Sequence, residues 1–241
     1  YYKIAPQCVD LKEKVEMSVV DFAKEHYSFN FDIVFYDVTT LYFETFEEDE
    51  LRKNGFSKDS KSQQPQILVA LMVTKEGFPI AFEIFSGNTF EGHTIIPTIK
   101  NFIGRNKVKE FTVVADAAMI SSENITHLNQ NEINYIVGAR LGNLSIKLLG
   151  TIDEQIVRQD GKSIRIKTEL GYLICSYSSV RYRKDLYEMN KQIEKAKEIV
   201  EVPSKTRKLK FTKTNDQKLE LNEELIEKTK KLLGIKGYYT S

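Results

Sequence analysis

Tryptophan is absent from this 241-residue chain, and it has only two cysteines, three histidines, four methionines and five prolines. Cys8 and Cys175 cannot staple a fold, and no CxxC pair occurs, which removes disulfide scaffolds, zinc ribbons and dithiol redox chemistry. A reducing cytoplasm is the expected compartment. No apolar run approaches the roughly 20 residues of a bilayer span, so no membrane partner is expected. Neither a P-loop nor a GxGxxG fingerprint is present, which leaves no phosphate cradle of those kinds. The first residues, YYKIAPQCVD, include no initiating Met and no signal-peptide pattern, and they read as the start of a fragment of a longer chain.

What is present suits one large globular domain, or a domain with an insertion: 41% of residues are hydrophobic and 29% charged. The formal charge of +1 hides an asymmetry. Residues 1–150 carry 15 Lys/Arg against 20 Asp/Glu, a net of −5, while 151–241 carry 20 against 14, a net of +6. The basic part suits a polyanionic partner, and equally a solvated helical surface.

Hydrophobic periodicity predicts a helix over 9–27, with Leu11, Val15, Val19, Val20 and Phe22 as an apolar stripe. A strand over 31–36 and a charged loop over 47–65 follow. Two β-rich runs, 66–73 and 78–85, flank Lys75-Glu76-Gly77 as a hairpin. A helix is predicted over 91–106, a strand over 110–120, a short helix capped by Ser121 or Ser122, and a strand over 133–140. Three consecutive strands and two more alternating with helices specify a mixed sheet flanked by helices. Beyond residue 142 the pattern changes to strands at 144–150, 163–168 and 170–177. A long helix over 180–202 is closed by Pro203, and a further helix starts at NEELIEKTKKLLG. The expected division is therefore an N-terminal helical segment (1–30), a core (31–142) and an insertion region of strands and helices (143–241).

Two acids share one context. Asp37 ends IVFYD and Asp116 ends TVVAD, each after a short β-rich apolar run. On neighbouring strands both carboxylates would lie at one end of the sheet. Two acids held close repel unless a cation lies between them. Such rigid oxygen pairs suit Mg²⁺, and two metals held this way can activate a nucleophile and stabilise a phosphodiester leaving group. A lone Asp at a strand end is more often a turn residue; the pair carries the hypothesis. An aspartyl phosphatase would need an acid two positions after Asp37, where Thr39 stands. An RNase H-like order accommodates the hairpin and the crossover helix.

With these motifs on the page, YDVTTLYFE (36–44), GFSKD (55–59), GFPIAFEIFSGNTFEGHT (77–94), VVADAAMIS (113–121) and INYIVGAR (133–140) resemble the catalytic core of bacterial DDE-class insertion-sequence transposases, nearest the group named after insertion sequence four. The resemblance is dense over 31–142 and thinner over 143–241. It implies an RNase H-like α/β fold with a β-rich plus helical insertion after the second acid. It also implies metal-dependent cleavage and strand transfer at transposon ends, with two Mg²⁺ or Mn²⁺ ions. Asp37 matches the first acid and Asp116 the second. DNA is the implied partner, a homodimer the implied state in the full-length synaptic complex, and the bacterial cytoplasm, at the nucleoid, the implied location. The third acid, a Glu in a Tyr-x2-Arg-x3-Glu-x6-Lys frame, has no match: Tyr182 is followed three positions on by Asp185, and Glu188, Glu194 and Glu198 lack the frame. It is expected beyond Ser241, which would leave this fragment inactive. A nuclease of the same fold and a non-catalytic DNA-binding derivative are the alternatives.

Weaker candidates surround the pair. Thr39 and Thr40 stand beside Asp37 and offer hydroxyls to DNA. Arg140 ends the strand after the second acid. Lys205, Arg207, Lys208 and Lys210 form a basic run suited to backbone phosphate. His26, His93 and His127 lack any ligand spacing and read as surface residues.

Overall fold

The computed structural model describes residues 2–27, 31–57, 61, 63–106, 108, 110–201, 209–215 and 218–241. The chain divides into two compact units, Tyr1–Gly138 with Tyr239–Ser241, and Ala139–Tyr238.

The first unit runs α1 (Ala5–Asp10), α2 (Lys12–Tyr27), β1 (Ile33–Tyr42), β2 (Gln66–Thr74), β3 (Pro79–Ser86), α3 (Ile95–Asn106), β4 (Thr112–Ala115), α4 (Ser122–Gln130) and β5 (Asn134–Gly138). Its strands lie in the order β3-β2-β1-β4-β5. The β1–β2 and β2–β3 pairs are antiparallel, while β1–β4 and β4–β5 are parallel. This is the mixed, RNase H-like arrangement that the element order specified. A hairpin suffices for the antiparallel neighbours, and the parallel neighbours need the crossovers that α3 and α4 supply.

Period-2 alternation gives each strand two faces. On β1, Val34, Tyr36 and Val38 are buried, and so are Ala70 and Met72 on β2, Val113 and Ala115 on β4, and Tyr135 and Val137 on β5. The helices contribute Ile95, Ile99 and Phe102 from α3 and Ile125 and Leu128 from α4 to the buried set. Each buried Val, Ile, Leu, Met or Phe among them is worth about 1.5–3 kcal/mol of transfer free energy. The other face stays open: Phe35, Leu71, Phe82, Ile84 and Ile136 are all more than a third exposed.

The outer edge of β3 is covered by α2. Glu16 accepts the Phe82 N–H at 3.3 Å. Arg105 reaches Glu16 at 2.9 Å and Glu83 at 2.8 Å, and Lys12 reaches Glu16 at 3.1 Å. A charged helix on an exposed strand edge blocks edge-to-edge pairing.

The second unit holds α5 (Ile146–Gln155), β6 (Ser163–Thr168), β7 (Gly171–Tyr177), α6 (Ser179–Glu201), β8 (Thr212–Asn215), β9 (Lys218–Leu221) and α7 (Glu223–Lys231); β10 (Ile235–Thr240) follows, and its last two residues belong to the first unit. Met189 and Ala196 of α6, Phe211, Ile226 of α7 and Leu233 form its helical core. Gly234, at φ +76°, donates its N–H to Asp185 at 3.2 Å, and a Cβ there would lie 2.8 Å from Tyr182 Cβ.

Four sequence expectations change. The strand expected over 110–120 is confined to Thr112–Ala115, followed by a 3-10 turn at Ala117–Met119. The 9–27 helix breaks at Leu11 into α1 and α2. The strand expected at 144–150 is the helix α5, because Ser145 caps it by accepting the Leu148 N–H at 3.3 Å. And β1 continues five residues past Asp37, pairing with β2 as far as Tyr42↔Gln66.

The 47–65 segment contains no strand among its described residues, yet it is tied down. Lys53 and Gln66 exchange backbone hydrogen bonds of 3.1 and 3.0 Å. The Gln66 amide donates to the carbonyls of Gly87 at 2.8 Å and Phe56 at 3.2 Å. A Cβ on Gly87 would sit 2.0 Å from the Gln66 carbonyl oxygen, whereas one on Gly104, within α3, would meet nothing within 4 Å. Gly87→Ala should therefore destabilise by on the order of 1–3 kcal/mol. Gly104→Ala should stabilise by about 0.5–1 kcal/mol. Urea unfolding of the two variants checks both signs.

Candidate active site

Asp37 and Asp116 are brought together by strand register. The parallel ladder between β1 and β4 ends at Tyr36↔Ala115. One step further along both strands stand Asp37 and Asp116, with Asp116 still extended at φ −75°, ψ 158°. Neighbouring strands lie about 4.8 Å apart. Tyr36 and Ala115 are both buried and the two acids are both exposed, so the pair shares the open face. Asp37 thus marks the end of the parallel ladder and not of its own strand: past it, β1 pairs with β2 alone. The mount is rigid because β1 is the central strand of the five.

Each carboxylate is oriented by one local hydrogen bond. Asp37 Oδ1 accepts the Val38 N–H at 2.9 Å, and Asp116 Oδ1 accepts the Ala117 N–H at 2.6 Å. Among the described residues, neither acid takes an Arg, Lys or His ion-pair partner. Two adjacent carboxylates with no protein cation between them fit a divalent ion that prefers oxygen ligands. Among the described residues, no group of three or more His, Cys, Asp or Glu is clustered to hold a metal.

The segments around the acids are held from the helix-covered face. Tyr36, next to Asp37 but pointing the other way, hydrogen-bonds Thr94 at 2.6 Å through its hydroxyl. Burial pushes the Tyr36 phenol up to about 12. After Asp116 the chain makes a 3-10 turn (Ala117–Met119), then α4, whose cap Ser121 accepts the Asn124 N–H at 3.1 Å. The buried Asn124 amide donates to Gly92 O at 2.6 Å and Met119 O at 3.0 Å. One side chain thereby ties the turn behind Asp116 to the turn that leads into α3. Sequence inspection missed Tyr36, Thr94 and Asn124; the only available sign was polar residues at positions where an apolar stripe was due.

The other candidates distribute as follows. Thr39, two residues on, shares the open face with Asp37, and Thr40 falls on the opposite one. Arg140 is exposed and belongs to the second unit. Lys210 is exposed, with its Nζ 5.0 Å from the Phe211 ring centroid. Lys205, Arg207 and Lys208 lie outside the described residues. His93 is exposed beside Phe90, and His26 stacks on Phe22 with centroids 4.1 Å apart. Glu188, Glu194 and Glu198 are exposed on α6, as expected of solvated charges. Asp185 is engaged with the Gly234 N–H and with Arg181 at 3.4 Å.

A family model described as transposase DDE domain matches residues 29–223. No curated protein matches the chain. Among solved structures, a cryo-EM structure of the piggyBac transposase synaptic complex with hairpin DNA is 11% identical over 62% of this chain, with a TM-score of 0.43. The match spans 31% of that chain's length.

The raised Tyr36 pKa sets an alkaline limit. The phenol ionises near 10.0 when unfolded and near 12 when folded, so its contribution is fully present below pH 10 and is lost as pH rises toward 12. Tyr36→Phe should remove that part of the alkaline loss of stability, at a cost of about 1 kcal/mol at neutral pH from the missing hydrogen bond. Thermal melts between pH 8 and about 11 compare the two slopes.

Proposed function

The chain belongs to the transposase DDE-domain family, and on that premise we propose that it is the catalytic core of a DNA transposase that cleaves and joins DNA at transposon ends. The observation that carries this reading is the placement of Asp37 and Asp116 one step past the last paired residues of two adjacent parallel strands. Within the family we assign it to the group named after insertion sequence four, on the motif text around the two acids. Its partner is DNA, both transposon ends and target, and its place of action is the bacterial cytoplasm, at the nucleoid. Among the described residues no helix is long and apolar enough to cross a membrane.

Asp37 and Asp116 would hold Mg²⁺ or Mn²⁺, which when bound supplies Lewis-acid stabilisation of the phosphodiester oxygens. The protein's own contribution is placement. The β1–β4 ladder fixes the two carboxylates, and Oδ1 of each accepts one backbone N–H. Asn124 holds the turn behind Asp116, and the Tyr36–Thr94 bond anchors β1 next to Asp37. Thr39 presents a hydroxyl on the same face for a DNA phosphate, and Arg140, Lys205, Arg207, Lys208 and Lys210 offer backbone contacts that position DNA without reading sequence.

A third carboxylate completes the set in our reading, and it lies outside the described residues. Two observations support this. No third acid clusters with the pair among the described residues. And the face carrying Asp37 is apolar and open at Phe35, Leu71 and Phe82, the kind of surface that a further packed element covers.

The test uses the protein with DNA carrying the element's own ends. Mg²⁺- or Mn²⁺-dependent nicking is expected, followed by joined product. Asp37→Asn and Asp116→Asn should each slow nicking at least about a hundredfold while DNA retention persists. Normal nicking by either variant removes that acid from the mechanism. Cleavage without joining would indicate a nuclease, and binding without cleavage a non-catalytic derivative.

A further inference from the structure

The strands of the second unit carry cations on one face and no acid. β6 and β7 read SIRIKT and GYLICSY, and the part of β10 in this unit, residues 235–238, reads IKGY. Leu173 and Cys175 of β7 are buried, as are Ile235 and Gly237 of β10, and Ile166 and Ile164 stand opposite Leu173 and Cys175 in the β6–β7 ladder. These positions mark the covered face. Alternation puts Arg165, Lys167, Tyr172, Lys236 and Tyr238 on the other one. Arg165, Lys167 and Lys236 are exposed, and among the described residues none of the three takes an ion-pair partner.

Two of these cations are ordered by rings. Arg165 is opposite Ile174 in the ladder and leans across to its diagonal neighbour Tyr172, with Cζ 3.6 Å from the ring centroid. Lys236 Nζ stands 4.9 Å from the Tyr238 centroid. A ring against the flat side of a guanidinium leaves its in-plane N–H donors free. Arg165 is thereby pre-ordered for a bidentate anion such as phosphate. Lys167 follows on the same face, about 7 Å further along the strand.

Lys and Arg on an edge strand also guard against edge-to-edge pairing. That accounts for β6, which ends the sheet, but not for Lys236, because β10 lies inside it. β6 and β10 are two strand spacings apart, about 10 Å, so the cations suit a repeating anion better than one small ion. Both rings are capped by cations and are not free to stack on bases, the contact that single-strand binding relies on. The anion that fits is therefore the backbone of a duplex.

We propose that this face of the second unit holds the phosphate backbone of duplex DNA, with Arg165, Lys167 and Lys236 as the contacts and Tyr172 as the residue that orders Arg165. The choice of DNA as the polyanion rests on the function proposed above. Such contacts position a duplex and carry no sequence information.

Fluorescence anisotropy of the 241-residue chain with a random-sequence duplex, in EDTA and across a salt series, tests it. EDTA keeps metal binding at Asp37 and Asp116 out of the measurement. Arg165→Gln, Lys167→Gln and Lys236→Gln should each weaken binding about eightfold near 0.1 M salt and lower the slope of log K against log salt by about 0.9, the counterion release of one phosphate contact. Each should melt as the wild type does, since all three side chains face solvent. Arg165→Lys should keep the slope. Tyr172→Leu should weaken binding and Tyr172→Phe, which keeps the ring, should not. Unchanged slopes in the three Gln variants, unchanged binding by Tyr172→Leu, tighter binding of a single strand than of the duplex, or polyglutamate that competes as well as DNA would overturn this face as the site and leave the transposase reading standing. A wild-type chain that binds no duplex would overturn both.

Discussion

The parallel pairing of β1 with β4 is the constraint on which the rest of the first unit depends. It sets two like charges side by side at the end of one ladder, an arrangement that costs free energy by itself. The fold tolerates it because both acids are exposed and water screens them. The surrounding structure supplies what keeps them there. The β2–β3 hairpin backs β1 on one side and β5 backs β4 on the other, and α3 and α4 fill the face beneath. Tyr36–Thr94 and the Asn124 clamp fix the backbone immediately before and after the two acids. A loosely held pair would drift apart under its own repulsion.

The two faces of this sheet are treated differently. One is closed by α3 and α4, where Thr98 donates to the Thr94 carbonyl at 2.8 Å. The other carries the two acids within an apolar surface. Charge set among apolar neighbours is shielded from water once that surface is covered, and a divalent ion is held more strongly in such a setting than in open solvent. On the function proposed above, the exposed Phe35, Leu71 and Phe82 would bear on metal binding at Asp37 as well as on packing.

Much of this was legible in the amino-acid order. The hairpin over β2 and β3, the helix α6 and the pairing of IVFYD with TVVAD all follow from local periodicity and from the residue types that end each run. The helix α5 was not legible, because LSIKLLG suits a strand by composition and only the Ser145 cap decides for helix. The length of β1 was hidden for a related reason: an Asp after four apolar residues looks like a stop, yet the antiparallel bonds to β2 carry the strand on to Tyr42. Tyr36, Thr94 and Asn124 are separated by 58 and 30 residues along the chain, so no local pattern joins them.

The sequence by itself determined which residues alternate, where the β2–β3 hairpin turns and which two acids end similar runs, since these depend on side-chain chemistry at short range. Tertiary structure alone decided that Asp37 and Asp116 stand at matched steps of neighbouring strands, because register is set by the whole sheet. It also decided the fate of the α2 stripe. Periodicity gives a helix its apolar line, and the ion pairs of Lys12, Glu16, Glu83 and Arg105 turn that line away from the core.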